Sequence, residues 1–318
     1  MQNILEVKNL TLAFNLKNGM FNALQGVNFD LKEKETLAIV GESGCGKTLT
    51  AMSVLRLIPN TATITEGEIL YKGQDLLKLD ENKMQKIRGK HIALIPQDPM
   101  TSLNPLYTIE NQMLEVIELH QGIRGQEAIE KAIEALEKVK IPNPKERLNS
   151  YPHEFSGGMR QRVIIAMALA CNADIIIADE PTTALDVTVQ AQIMELLKEI
   201  KEKYNTSIIL ISHDLGLVAE NSDKIAVMYA GSVVEYSTSK ELFKNPKHPY
   251  TKALLKALPD INTNKLETMQ GQPPSIQDKI MGCPFSPRCE SVMKICREKN
   301  PPLIDIEGKS KVKCFLFN

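Results

Sequence analysis

The stretch GESGCGKT at positions 41–48 constrains this chain more than any other feature, because it fits the pattern G-x-x-x-x-G-K-S/T of phosphate-binding loops. It follows the apolar run ETLAIV (35–40), which predicts a buried strand, and it opens a segment (47–58) that predicts a helix ended by Pro59. The glycines let backbone N–H groups turn toward phosphate oxygens, and the helix start adds a partial positive charge. A chance glycine-rich turn would lack this context, so we expect a nucleotide-binding loop.

Specific roles follow for the residues of this loop. Lys47 is expected to bridge the β- and γ-phosphates of the nucleotide, and Thr48 to ligate Mg²⁺. We interpret Cys45 as an ordinary variable position of the loop and not as a reactive thiol. The residues expected to contact nucleotide here are Gly41, Glu42, Ser43, Gly44, Cys45, Gly46, Lys47, Thr48 and Thr50.

The overall composition narrows the function classes. The net charge of −1 over 318 residues gives no support for nucleic-acid binding, which usually needs a basic excess. No apolar run approaches the roughly 20 residues needed to cross a bilayer, and the N-terminus has no signal-like core. We therefore expect any role at a membrane to come from docking on an integral partner.

Strand and helix patterns alternate along most of the chain. Apolar runs predict buried strands at 175–180 and 206–214, and helices are predicted at 157–171 and 187–204. Uniformly apolar strands alternating with helices imply an α/β fold with a parallel sheet covered on both faces. Before the phosphate loop, strands are expected at 4–14 and 23–31, with Gly19 in the loop between them. After it, we expect a hairpin at 67–76, a strand at 91–99 broken by Pro96, and a mainly helical region at 106–150. Two short strands are expected around Ala230–Gly231, and an irregular linker from about 259.

Acidic and amide side chains occur at the ends of predicted strands. Asp179 and Glu180 end the run IIIADE, where ligands of open α/β sheets are bound. Asp179 is then placed to hold Mg²⁺, directly or through water, and Glu180 to act on a water as a general base. Taken alone, an acidic helix cap explains the pair equally well. His213 follows the next strand and could contact a γ-phosphate or the attacking water, while Gln97 could ligate Mg²⁺ or orient water.

The stretch FSGGMRQR (155–162) contains no nucleophile–base pair and no metal ligands. Ser156 can donate to a phosphate oxygen, Gly157 and Gly158 allow close backbone approach, and the following helix start adds its dipole. A plain Gly-Gly helix cap is the alternative. Phe14 is a candidate for stacking on adenine, with Phe21 as the fallback, although aromatic residues at such positions are usually part of the core.

Taken together, the motifs GESGCGKT, Gln97, FSGGM, IIIADE, TALD (183–186) and His213 resemble the nucleotide-binding subunits of ABC transporters over about the first 255 residues. FSGGM resembles the signature usually written LSGGQ; Phe155 and Met159 depart from it without removing a phosphate-contacting group. The resemblance implies a RecA-like P-loop NTPase core with an antiparallel β subdomain and a helical subdomain at about 100–170. It also implies ATP and Mg²⁺, with Met159 and Asp186 among the nucleotide contacts, and a signature that closes over ATP held by another subunit.

A narrower resemblance comes from QDPMTSLNPLYTI (97–109), SGGMRQR and HPYTKALLKALP (248–259), which look like the D-type ATPases of oligopeptide and dipeptide permeases. That resemblance implies an ATP-hydrolysing domain at 1–258 and a transporter-type extension at 259–318. The implied partners are a second, F-type ATPase, two integral permease subunits and an extracytoplasmic peptide-binding protein, with this chain peripheral on the cytoplasmic face of the membrane. Nickel importers of the same group, and soluble ABC ATPases acting on nucleic acid or as regulators, remain as alternatives.

Four of the six cysteines crowd into the last 36 residues with the spacing C-x5-C-x6-C-x17-C, at Cys283, Cys289, Cys296 and Cys314. Four thiolates suit zinc or an iron–sulfur cluster. Zinc sites usually contain C-x2-C pairs, which are absent here, and wider gaps favour a cluster whose irons lie at separate corners. The permease ATPases carry a similar tail, and a 4Fe–4S cluster is attributed to some of them. We therefore expect a 4Fe–4S cluster, with zinc or free thiols as alternatives.

Overall fold

The computed structural model describes residues 2–183, 185–257, 269–278 and 280–318. The chain divides into two units, the first formed by residues 1–78 and 210–318 and the second by residues 79–209. The expected start of the linker at 259 and the residue Ala184 of the TALD stretch lie outside the described residues.

The strands, in chain order, are β1 (Asn3–Leu16), β2 (Gly19–Lys32), β3 (Thr36–Val40), β4 (Ala62–Tyr71), β5 (Gln74–Asp75), β6 (Ile92–Ile95), β7 (Ile175–Asp179), β8 (Ser207–Ser212), β9 (Lys224–Tyr229), β10 (Ser232–Thr238), β11 (Ile304–Ile306) and β12 (Ser310–Val312). The short β8 crosses the division between the two units. The core strands β3, β7 and β8 are buried at every position, as their apolar sequences predict.

The helices are α1 (Lys47–Val54), α2 (Glu81–Ile87), α3 (Pro99–Ser102), α4 (Ile109–Gln121), α5 (Gln126–Lys138), α6 (Pro144–Arg147), α7 (Gly157–Ala170), α8 (Val187–Tyr204), α9 (Leu215–Asn221), α10 (Ser239–Lys244), α11 (Pro249–Lys256) and α12 (Lys294–Glu298). Short 3-10 turns occur at Leu76–Lys78, Pro152–Glu154 and Phe315–Phe317. Within the described residues, no helix is both long and apolar enough to cross a membrane.

An antiparallel sheet in the order β2-β1-β4-β5 occupies the N-terminal part of the first unit. The expected hairpin of β1 and β2 is present, but Gly19 belongs to β2, where it pairs with Leu16, and not to the loop. The hairpin expected at 67–76 is formed by β4 and β5, and its turn residues Lys72 and Gly73 both have positive φ. This backbone geometry matches the twist of adjacent strands.

The second sheet of the first unit is mixed and not uniformly parallel. β3 pairs with β9 in parallel, whereas β9 and β10 pair antiparallel around Ala230 and Gly231, which have φ values of 45° and 76°. β12 then pairs antiparallel with both β10 and β11. These C-terminal strands, which were not predicted from the sequence, thus extend the sheet that contains the strand leading into the phosphate loop.

In the second unit, β6 and β7 pair in parallel, as the apolar runs predict, and most of the remaining residues are helical. Helices α4, α5 and α7 pack on one another. Thr108 caps α4 by accepting from the backbone N–H of Asn111, and Gly122 ends that helix with a φ of 72°. These local signals explain why the helical region was predictable from sequence.

The helix that follows the phosphate loop is shorter than expected. α1 ends at Val54, four residues before the predicted end, and Arg56 has a φ of 53°. The left-handed backbone at Arg56 turns the chain away before Pro59 can act as the terminator.

Candidate functional site

The phosphate loop of the first unit joins β3 to α1 through three glycines with positive φ. Gly41, Gly44 and Gly46 have φ values of 153°, 76° and 104°. A Cβ at Gly41 would lie 2.2 Å from the carbonyl oxygen of Met228, and one at Gly46 would lie 2.8 Å from Leu24 Cδ2. Neither position can carry a side chain without displacing its surroundings, so both the backbone angles and the packing require glycine here.

Lys47 lies inside the loop and not in solvent. Its side chain is buried, and its Nζ donates to the carbonyl oxygens of Gly41 at 2.9 Å and Glu42 at 3.1 Å. Ser43, Gly44 and Thr48 are exposed at the crest of the loop. The ammonium is therefore held at the centre of a loop whose exposed residues surround it, which suits a group that meets phosphate.

Thr50 and Cys45 lie below the loop surface. Thr50 is fully buried, and its hydroxyl donates to the carbonyl oxygen of Gly46 at 2.9 Å, so its expected nucleotide contact would need that bond to change. Burial raises the pKa of the Cys45 thiol above its ordinary value. A protonated, buried thiol fits the interpretation of Cys45 as a packing residue.

Phe14 and Phe21 face each other across the β1–β2 pair, and both are half-buried. Either ring could therefore stack on a base, as the sequence predicts. Their register in the sheet does not separate the two candidates.

In the second unit, Asp179 ends β7 and is buried, and Glu180 follows it with a φ of 46°. A left-handed backbone at a non-glycine residue costs roughly 1–2 kcal/mol, and such strain often occurs at functional positions. Gln97 Nε2 donates to Glu180 Oε2 at 2.9 Å, and Thr183 Oγ1 donates to the same oxygen at 3.0 Å. The structure thus brings together Gln97 and Glu180, which the sequence predicted separately.

The signature residues open α7 in the same unit. Ser156 is exposed and caps the helix, because its Oγ accepts from the backbone N–H of Met159 at 3.3 Å. A hydroxyl that accepts a cap bond still has its own proton to donate. Gly157, Gly158 and Met159 are partly exposed in the first turn. The alternative of a plain helix cap and the predicted phosphate contact are therefore compatible with each other.

Asp186 and His213 are both exposed, but they belong to different units. Asp186 is exposed and caps α8, with Oδ1 accepting from the backbone N–H of Val189 at 3.0 Å. His213 follows β8 in the first unit, and its side chain is exposed. Both retain their predicted nucleotide contacts as expectations.

The four C-terminal cysteines line one recess of the first unit. The recess is partly open to solvent. Burial raises the pKa of Cys283 to about 11, and the negative charges of the other three thiolates act in the same direction. Cys283, Cys289, Cys296 and Cys314 are therefore neighbours in one recess.

No group of three or more His, Cys, Asp or Glu side chains among the described residues is arranged to hold a single metal ion. A zinc ion needs its thiolates about 2.3 Å from one point, whereas the cysteines of a cubane cluster bind separate irons. Four thiols are the kind of donor that an iron–sulfur cluster needs, but the metal site expected from the sequence is not found among the described residues.

Three residues close to these sites were missed from sequence. Arg288 and Tyr250 contact the phosphate loop, and Thr183 donates to Glu180. Arg288 stands in the PRC triplet beside Cys289, and Tyr250 stands in the HPY stretch. The HPY stretch carries part of the resemblance, but no local pattern in either triplet indicates which part of the chain it contacts.

Comparison with known families gives two matches along the chain. Residues 24–183 match the family described as ABC transporter, and residues 234–296 match the family described as oligopeptide/dipeptide transporter, C-terminal region. The second match includes Cys283, Cys289 and Cys296 and ends before Cys314.

Curated relatives align with nearly the whole chain. The dipeptide transport ATP-binding protein DppD of Bacillus subtilis is 48% identical over 319 residues, which cover 99% of this chain and 95% of that protein. The oligopeptide transport ATP-binding protein OppD of Bacillus subtilis is 49% identical over 319 residues, covering 99% and 89%. OppD of Haemophilus influenzae is 48% identical, covering 93% and 92%.

Solved structures share the fold over about three quarters of the chain. The ATP-binding cassette MJ0796, in a dimeric post-hydrolysis state with ADP and Pi, superimposes with a TM-score of 0.66 at 31% identity, covering 74% of this chain and 98% of that one. CbiO1 of Clostridium perfringens, part of the transporter complex cbiONQ, gives a TM-score of 0.67 at 26% identity, covering 77% and 92%. The predicted α/β fold is thereby confirmed.

Proposed function

Because this chain belongs to the ABC transporter family of ATP-binding proteins, we propose that it binds and hydrolyses ATP to energise an importer of dipeptides or oligopeptides. The observation that carries this proposal is the match of residues 234–296 to the oligopeptide/dipeptide transporter C-terminal region. Relatives named for dipeptide and oligopeptide transport align with both the ATPase part and this extension.

Lys47 and Thr48 are proposed to hold the nucleotide in the first unit. Lys47 would neutralise charge on the β- and γ-phosphates, as its position inside the loop allows. Thr48 in the first unit, and separately Asp179 and Gln97 in the second, are proposed as Mg²⁺ ligands. Bound Mg²⁺ would supply Lewis-acid charge stabilisation for the phosphoryl group. Ser156, Gly157 and Gly158 would approach the γ-phosphate of ATP bound to a sister subunit.

Glu180 is proposed as the base that polarises the attacking water, with His213 in support. Gln97 and Thr183 both donate to Glu180 Oε2, which fixes the orientation of the carboxylate. An oriented carboxylate meets the geometric requirement for a general base better than a mobile one. The strained backbone at Glu180 is consistent with this specialised position.

The segment between Gln97 and α4 is proposed to transmit the state of the site to the permease subunits. Met100, Leu106 and Tyr107 are 56%, 81% and 54% exposed, an unusual cluster of apolar surface on a short segment. Arg160 of α7 contacts Met100 through Nη1 and Sδ at 2.9 Å. A change at the signature helix could thus reach the segment that contacts the membrane partner.

The test of the ATPase proposal uses Glu180→Gln in the complex assembled with its F-type partner ATPase and both permeases. We expect hydrolysis to fall by about 10²-fold or more, the range of general-base contributions, while ATP binding persists. Glu195→Gln, which changes an exposed glutamate on α8, is the matched control. Normal hydrolysis by Glu180→Gln would contradict the assignment of the base.

Substrate and partners are tested by purifying the tagged chain from membranes and identifying what accompanies it. Two permeases and stimulation of ATPase activity by a peptide-loaded binding protein would support peptide import at the cytoplasmic face of the membrane. Stimulation only by a nickel-loaded binding protein would favour the nickel alternative. Co-purification of ribosomes or nucleic acid without permeases would contradict a transport function.

For the recess lined by the four cysteines we propose a 4Fe–4S cluster, with zinc as the alternative. The support for this proposal is that all four thiols line one recess and that the C-x2-C pairs usual in zinc sites are absent from this part of the sequence. Anaerobic purification should give a brown protein with about four irons and four sulfides per chain. Cys289→Ser should lose the colour, whereas Cys171→Ser, a change at a buried cysteine outside the recess, should retain it. A colourless protein with one bound zinc would contradict the proposal.

A further inference from the structure

An arginine of the C-terminal extension contacts the phosphate loop directly. Arg288 Nη1 donates to Glu42 Oε2 at 2.6 Å, and Nη2 donates to Glu42 Oε1 at 2.9 Å. The Arg288 side chain is 5% exposed and that of Glu42 is 27% exposed. A two-pronged, largely desolvated pair of this kind is strong and directional, in contrast to an ion pair on the surface.

The partner of Arg288 is the second residue of the loop and is held from other directions as well. The backbone N–H of Glu42 donates to the hydroxyl of Tyr250 at 2.9 Å, and the carbonyl of Glu42 accepts from Lys47 Nζ at 3.1 Å. The residue that Arg288 holds therefore directly contacts the lysine expected to meet the phosphates.

The guanidinium of Arg288 rests on a cluster of aromatic rings. It lies 5.8 Å from the centre of the Tyr229 ring, which packs against Tyr250 at 4.6 Å and against Phe285 at 5.2 Å. Phe285 comes from the extension, Tyr250 from α11 and Tyr229 from β9. The pair thus lies, partly buried, where the extension packs against the strand next to β3.

The segment that carries Arg288 is fixed by its own backbone. The N–H of Cys283 donates to the carbonyl of Cys296 at 2.7 Å, and the N–H of Arg288 donates to the carbonyl of Phe285 at 3.0 Å. Arg288 Nε also donates to the carbonyl of Gln270 at 3.1 Å. The arginine therefore reaches the loop from a rigid support and is not a mobile surface side chain.

Charge gives this contact a consequence for nucleotide binding. Glu42 places a carboxylate in a loop whose task is to bind a polyanion, and an unpaired carboxylate there would repel phosphate. Arg288 neutralises that carboxylate and holds it toward the C-terminal extension, away from bound phosphate. We propose that Arg288 is a positioning residue through which the C-terminal extension holds the phosphate loop and sets its affinity for ATP. This inference rests on the proposed function of the loop in ATP binding.

The experiment is a double-mutant cycle on the full-length protein, read by equilibrium binding of a fluorescent ATP analogue. We expect Arg288→Met to weaken binding by about tenfold or more, because it leaves the Glu42 carboxylate without its charged donor. The double variant Arg288→Met/Glu42→Gln should bind better than Arg288→Met alone, since the bare carboxylate is gone. Arg288→Lys, which keeps the charge but not the two-pronged geometry, should fall between wild type and Arg288→Met.

Controls separate this inference from the proposed function and from misfolding. Lys47→Ala should abolish binding, and a wild-type protein that does not bind the analogue would contradict the proposed function itself. Arg297→Met changes an exposed arginine of the same extension and should bind as wild type. In the assembled ATPase, KM for ATP should rise with Arg288→Met while kcat changes by less than about twofold.

Two results would overturn the role of Arg288. One is binding by Arg288→Met within about twofold of wild type. The other is a double variant whose loss equals the product of the two single losses, which would mean that the two side chains act independently. If Arg288→Met does not fold, Arg288→Lys and Glu42→Gln still test the proposal, because wild-type affinity in Arg288→Lys would refute it.

Discussion

The two adjacent glycines of the signature stretch should respond differently to the same substitution. A Cβ at Gly158 would lie 2.6 Å from Cγ1 of Val189 on α8, whereas a Cβ at Gly157 would meet its nearest neighbour, Leu185 Cδ2, at 3.5 Å. Carbon atoms pack favourably at about 3.5–4.0 Å, so alanine at 158 must displace the valine by roughly 1 Å. Alanine at 157 needs no such displacement.

The magnitudes follow from two opposing effects. Alanine is favoured over glycine within a helix by up to about 1 kcal/mol, and overpacking costs about 1–3 kcal/mol. Gly157→Ala should therefore leave the free energy of unfolding unchanged or raise it by up to about 1 kcal/mol. Gly158→Ala should lower the same free energy by about 0.5–2 kcal/mol, and Gly158→Ala/Val189→Ala should recover most of the overpacking cost.

Urea unfolding followed by circular dichroism measures these differences, since the chain contains no tryptophan to serve as a fluorescent probe. Equal stabilities for Gly157→Ala and Gly158→Ala would refute the reasoning from the contact with Val189. If Gly157 and Gly158 approach phosphate as proposed, hydrolysis in the assembled complex should fall for both variants, because a methyl group at either position would obstruct that approach. A stable but inactive Gly157→Ala protein would show that glycine is needed there for hydrolysis and not for stability.

Two further predictions concern stability alone. Burial acts to raise the pKa of Asp30, but the hydrogen bond and charge of Lys224 at 2.8 Å outweigh it and lower the pKa. The pair therefore stabilises the fold above the ordinary carboxyl pKa of about 3.9, and this stabilisation is lost as pH falls below it. Asp30→Asn should reduce the fall in the free energy of unfolding at acid pH, measured by unfolding at several pH values. An unchanged dependence of that free energy on pH would contradict the pairing. Both polar atoms of Gln161 are buried without a hydrogen-bond partner in the part of the chain that the structure describes. Gln161→Met should raise the free energy of unfolding by about 1–2 kcal/mol, and destabilisation in thermal or urea unfolding would show that the amide is bonded.

Local patterns were sufficient for most of the elements. The buried strands β3, β7 and β8 and the helices α7 and α8 lie where the apolar runs and the helical segments of the sequence predict them, because each pattern reflects burial of one contiguous segment. The phosphate loop was predictable for the same reason, since glycine spacing and the flanking strand and helix are all within one short stretch. The end of α1 was not, because the left-handed residue Arg56 has no sequence signal of its own.

The missed features depend on contacts between distant parts of the chain. β11 and β12 are three residues each, which is too short for a periodic pattern, and they form strands because β12 pairs with β10. Arg288 and Glu42 are 246 residues apart in sequence, and Gln97 and Glu180 are 83 apart. A motif identifies the chemistry that a residue can perform, but the fold determines which distant residue it contacts.

The strand pairings explain why the cysteine recess and the phosphate loop belong to one piece of structure. β3 leads into the loop and pairs with β9, β9 pairs with β10, and β10 pairs with β12. Cys314 follows β12 by two residues, and the N–H of Lys313 between them donates to the carbonyl of Val234 in β10 at 2.8 Å. The position of Cys314 thus depends on the same sheet as the position of the phosphate loop. Arg288 also connects the extension to the loop directly, through its hydrogen bonds to Glu42. Folding of the extension onto β10 should therefore affect ATP affinity even where no residue of the extension touches the nucleotide.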